Sequence, residues 1–165
     1  EVADDRVKFA SRERFPTADR IIVDDFSAAA EGMTVGRNTY AVVVTRGHKG
    51  DADALEAVLG KGLRFVGMLG SRPKMVHVFA ALEERGISPQ ELEKVHTPVG
   101  LEIGAVSPEE IAVSILAEMI AIRRRVDLSQ IRPMKAALPG RLKVGRLEQG
   151  GAASHPLEPP RWRRE

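Results

Sequence analysis

The chain has 165 residues, 43% of them hydrophobic and 29% charged, which suits one globular domain with a core of its own. It contains no cysteine, which removes disulfides, thiolate zinc sites and cysteine nucleophiles and agrees with a cytoplasmic setting. The net charge of +2 is small, and no apolar run approaches the roughly 18 residues of a membrane span, so membrane insertion is not expected.

The first residues, Glu1-Val2-Ala3-Asp4-Asp5-Arg6, read as the end of a strand followed by acids. In a dinucleotide-binding fold an acid after the second strand meets a ribose hydroxyl, which makes Asp5 a candidate binding group. The glycine-rich turn of such a fold lies about twenty residues earlier. That turn is not in this sequence, and the natural start of the protein is expected upstream of Glu1.

Three apolar runs follow: 21–23 ending at Asp24-Asp25, 40–45 ending at Arg46-Gly47-His48, and 63–69 ending at Gly70-Ser71. They are continuously apolar, as strands buried on both faces of a parallel sheet are. Between them, Ala54, Leu55, Val58 and Leu59 form one helical stripe over 51–59. Met75, Val78, Phe79 and Leu82 form another over 71–85, with Gly86 as its stop. Ser88-Pro89-Gln90-Glu91 and Ser107-Pro108-Glu109-Glu110 each combine a cap, a first-turn proline and an acid three residues on, and so predict two more helix starts.

The second of these helices is the longest. Ile111, Ile115, Met119 and Ile122 form one row, and Val113, Leu116, Ala117 and Ile120 widen it, so deep burial is expected. Arg123 to Arg125 suit its C-terminus. The prediction is therefore a three-layer, Rossmann-like α/β domain with a parallel sheet, over residues 1–125, lacking the first strand-helix unit. Residues 126–165 read as a Pro/Gly/Arg-rich tail with a brief strand at 142–147. The tail is basic, but the chain has only five Phe, one Tyr and one Trp and no recognised reading element, so nucleic acid is not an expected partner.

Ligands of open parallel sheets gather beyond the carboxyl ends of the strands. Asp24-Asp25 is read as local helix capping in preference to a cation site. Thr45, Arg46, Gly47 and His48 offer a sharp bend, an anion-gripping guanidinium and a proton-transferring imidazole; the alternative is polar surface, with Asp51 capping the next helix. Gly67 and Gly70 lead into Ser71 as an N-cap, with Arg72 and Lys74 in or just inside the first turn. There, free amides and the helix dipole suit an oxyanion, or the arrangement is simple capping. Gly100 and Gly104 shape a fourth loop beside His96. Glu118, inside the long helix, needs a partner, and a structural network with Arg46, His48 or a backbone amide is favoured. The histidines show no metal-ligand spacing, and no hydrolase motif is present.

Several ordered motifs then agree: Asp4-Asp5-Arg6, Phe9-Ala10, Glu13 to Pro16, Val23-Asp24-Asp25, Tyr40 to His48, GMLGSRPK at 67–74 and HTPVGLEIGAVSPEEIAVSILAE at 96–118. With them residues 1–125 resemble the Rossmann-type C-terminal domain of the XdhC/CoxI family. The resemblance implies an accessory protein, a chaperone for a molybdenum hydroxylase such as xanthine dehydrogenase or carbon monoxide dehydrogenase. Such a protein binds molybdenum cofactor (molybdopterin), protects it during sulfuration and passes it to the apoenzyme, with a sulfurtransferase as a further candidate partner. The strand-end groups, from Asp5 through Thr45–His48, Gly67–Lys74, Gly100 and Gly104, are then expected to bind a ligand and to break no bond. Two alternatives stand beside this: a fragment of an NAD(P)-dependent oxidoreductase, and a non-catalytic dimerisation scaffold. An apolar face left by a missing opening unit makes a homo-oligomer the expectation.

Overall fold

A computed structural model describes residues 1–131. Within them five short strands, all paired in parallel, alternate with helices. β1 (Val2–Asp4) pairs with β2 (Ile21–Val23), and Asp25 caps α1 (Phe26–Gly32) by accepting from the Ala28 amide. The two acids after β2 thus serve local structure, as the sequence suggests. β3 (Tyr40–Val43), α2 (Gly47–Val58), β4 (Phe65–Met68), α3 (Arg72–Glu84), α4 (Pro89–Leu92), β5 (Val95–His96) and α5 (Pro108–Arg124) follow, then a single 3-10 turn at Leu128–Gln130. The strand expected at 142–147 and most of the 126–165 tail lie outside the described residues.

Strand β4 is the middle of a β3-β4-β5 sheet, and all four of its residues are buried. Its side chains alternate as a strand requires. Val66 and Met68 join Leu55, Val78 and Leu82 in a core under α2 and α3. Phe65 and Gly67 belong to the opposite face, where Phe65 meets the His96 ring, which is bonded to Glu118 of α5. Helices α1, α2 and α3 pack side by side on the first face. The result is the three-layer α/β arrangement. Fully burying Leu55, Phe65 or Met68 stabilises the fold by about 1.5–3 kcal/mol each.

Two expectations need correction. β1-β2 and β3-β4-β5 form two sheets, and no strand among the described residues pairs with both β1 and β3. Val23, Val42 and Val44 are also exposed, although their runs read as buried on both faces. Helix α5 is also not deeply buried. It hides only Ser114, Glu118 and Ala121, while Val113, Leu116 and Ile120 are more than half exposed. The apolar period is real, but nothing among the described residues covers its widest part.

The start of α5 follows the sequence closely. Ser107 accepts from the Glu110 amide, and Glu110 accepts from the Val106 and Ser107 amides. The Ser107 and Val106 amides hold the Glu110 carboxyl below the ordinary carboxylate range. A depressed folded-state value means that this contribution is fully present above the unfolded value of about 4.3 and is lost as pH falls through the folded one. Thermal midpoints measured on acidification are therefore expected to fall less steeply for Glu110→Gln than for the parent protein; parallel slopes would contradict the assignment.

Candidate functional site

Because β3, β4 and β5 are parallel, the loops leaving them emerge at one edge of the sheet. Thr45, Ser71 and Gly100 are therefore neighbours by topology. Specific contacts tie the loops together. Asp51, completely buried, accepts from the Thr45 hydroxyl at 2.6 Å and forms an ion pair with Lys74. The Lys74 ammonium also approaches the Leu69 carbonyl at 3.4 Å. The loop after β3, the body of α2, the loop after β4 and the start of α3 thus meet at one buried carboxylate. A Cβ on Gly70 would press on the Lys74 stem at 2.9 Å, so the glycine lets the lysine fold inward.

Asp51 does not cap α2. The helix begins four residues earlier, at Gly47, whose φ of 75° suits glycine. Arg46 occupies its N-cap position and makes no side-chain cap bond. Ser71 occupies the N-cap of α3, and its hydroxyl likewise accepts nothing from the first turn. By contrast α1, α4 and α5 are each capped by a side chain. The two helices that follow β3 and β4 therefore start with amides lacking a side-chain acceptor, and exposed Arg46 and Arg72 lie beside them.

The third loop is built around Glu118. Its two carboxylate oxygens accept from the Gly100 amide at 2.6 Å and meet His96 Nδ1 at 2.7 Å. Gly100 has φ 106°, and a Cβ there would collide with the Ser114 hydroxyl, which itself donates to the Leu101 carbonyl at 2.5 Å. Val99 donates its amide to Met68, which carries β4 into this loop. Gly67 is needed for packing, since a Cβ there would lie 2.5 Å from Val99 and 2.8 Å from the Phe65 ring.

Of the remaining candidates, His48 lies in the first turn of α2 next to Gly47, whereas Gly104 and Asp5 sit apart. Gly104 has φ 75° and open space around it. His48 is exposed and stacks on His77. Asp5 follows β1, in the other sheet, and its side chain pairs with Arg6, at 3.3 Å. Its neighbour Asp4 is bound more closely, accepting from the Arg6 amide at 3.0 Å and from the guanidinium at 2.8 and 3.0 Å. Partial burial alone would raise the Asp4 carboxyl, but the Arg6 hydrogen bonds and charge outweigh it and hold the group below the ordinary range.

Residue type and position do not announce the pairing of His96 with Glu118. The two lie 22 residues apart and form a part-buried dyad. The expectation that Glu118 reaches a backbone amide is met at Gly100, but its second partner is not foreseeable from spacing. The one available signal is an acid on the inner side of an apolar helix.

A family model described as the XdhC Rossmann domain matches residues 1–119. The chain belongs to that family. This XdhC-family domain is 30% identical over 123 residues to the uncharacterized protein YqeB of Escherichia coli K12, covering 74% of the chain and 22% of YqeB. It is 32% identical over 125 residues to a probable xanthine dehydrogenase subunit of Bacillus subtilis 168, covering 76% of the chain and 36% of that protein. A crystal structure of a xanthine dehydrogenase from Bacillus halodurans superposes with a TM-score of 0.61 at 30% identity, over 79% of the chain and 37% of the other. The XdhC-family domain thus spans well under half the length of these relatives. No helix among its described residues is long and apolar enough to cross a membrane.

Proposed function

We propose that this domain serves a molybdenum hydroxylase as an accessory factor, binding molybdenum cofactor at the carboxyl edge of β3-β4-β5 and presenting it for sulfuration and insertion. Family membership supports the general role. The observation that carries the binding reading is the pair of uncapped helix starts at α2 and α3, side by side at that edge. Their amides fit the phosphate of a pterin cofactor, and Arg46 and Arg72 add charge without being committed to a protein carboxylate among the described residues. Lys74 is committed to Asp51, so its part is to hold the two loops together. Gly47 leaves open space beside the bend, and Glu118 fixes the Gly100 loop as the third wall. The cofactor supplies molybdenum redox chemistry to the client enzyme; this chain's residues bind, orient and shield it. The partners are then the apoenzyme and a sulfurtransferase, in the cytoplasm.

Equilibrium binding of isolated molybdenum cofactor and of NAD(P)H tests this. Arg72→Ala is expected to weaken cofactor binding about tenfold or more, the cost of a charge-assisted hydrogen bond of about 1.5–3 kcal/mol, with an unchanged thermal midpoint. Tight nicotinamide binding with turnover would replace the reading by an oxidoreductase, and no binding of either ligand by a dimerisation scaffold.

A further inference from the structure

Two histidines, on α2 and α3, stack on one another. His48 lies in the first turn of α2, and His77 lies midway along α3. Their ring centroids are 5.4 Å apart and the rings are nearly parallel, 27° from one another. Both side chains are exposed. His77 Nδ1 is 2.7 Å from the Pro73 carbonyl. A carbonyl only accepts, so Nδ1 carries the proton and donates, and Nε2 keeps its lone pair. That tautomer is the one a metal-binding imidazole adopts, its second nitrogen held by an outer acceptor.

We propose that His48 and His77 form a bidentate, open site for a borderline divalent cation such as Zn²⁺, Ni²⁺ or Cu²⁺. Imidazole nitrogens bind such ions at about 2.0–2.1 Å, and shared coordination requires these exposed rings to turn from their stack until both in-plane lone pairs meet one ion. Carboxylates do not complete the site: no group of three or more metal-ligating side chains occurs among the described residues. Two protein nitrogens leave coordination positions for water or an exogenous ligand, as sites that exchange ligands require. The imidazoles come from two different helices, so an ion there also crosslinks α2 to α3. Nothing in this inference depends on the molybdenum cofactor.

The test uses the untagged full chain titrated with Cu²⁺ alone, followed by calorimetry and electron paramagnetic resonance. One ion per chain is expected, with hyperfine splitting from two imidazole nitrogens. His48→Ala and His77→Ala should each weaken binding at least about tenfold and leave the splitting of a single nitrogen. His155→Ala should bind as the parent does. A parent spectrum with one nitrogen or none, binding undiminished by either helix variant, or binding lost with His155→Ala would overturn the site.

Discussion

Replacing Lys74 by alanine is expected to destabilise the protein by about 3 kcal/mol, because it strands a fully buried carboxylate. Breaking a buried pair from one side costs roughly 3–5 kcal/mol, and the low end applies because the Lys74 side chain keeps 20% exposure. The hydroxyl of Thr45 remains as a donor to Asp51, but a neutral donor does not replace a cation. Urea unfolding measures the loss. Adding Asp51→Asn to Lys74→Ala removes the unpaired charge while keeping an acceptor for Thr45, so the double variant should be more stable than Lys74→Ala alone. A loss below about 1 kcal/mol would place the pair with ordinary surface ion pairs and dissolve the hub. The same experiment separates two meanings of the sequence Ser71-Arg72-Pro73-Lys74. Lys74→Ala would reduce ligand binding by loosening both loops, whereas Arg72→Ala would reduce it in a protein of parent stability.

Glu118→Ala should have a comparable effect on the other side of the sheet, about 3 kcal/mol by the same measurement. It leaves the Gly100 amide and His96 without their acceptor and opens space beneath α5. Glu118→Gln should be milder, since a carbonyl oxygen can still accept from Gly100 and the amide nitrogen can still meet the ring. Loss of the parent Gly100 amide resonance position in Glu118→Ala, but not in Glu118→Gln, would locate the effect in the loop. A Glu118→Ala protein that unfolds at the parent's urea midpoint would show that the dyad contributes nothing to the fold.

The parts legible in the sequence are those where local pattern and final environment coincide. Val78 and Leu82 lie on the predicted stripe of α3 and are completely buried. Ser107 and Glu110 form the box their spacing implies. What the sequence conceals is mostly long-range. Asp51 sits 23 positions before Lys74 and reads as a cap, because Gly47-His48-Lys49-Gly50 carries no apolar period to announce that a helix has already begun. β5 is two residues long, too short for any period to register. The burial of α5 is overestimated for a different reason. Apolar spacing says which face seeks cover, not whether a neighbour is present, and Leu116 and Ile120 remain uncovered among the described residues.

The break between β1-β2 and β3-β4-β5 has a mechanical consequence. Among residues 1–131 the backbone ladders run within each sheet and do not cross between them, and α1 packs on both β1 and α2. Amides of the opening forty residues can therefore open to solvent as a unit while Phe65 to Met68 stay protected. Two exchange rates within one chain, with their boundary near Tyr40, would be the signature of that division of labour. The starts of α2 and α3 and the Gly100 loop all belong to the slower half.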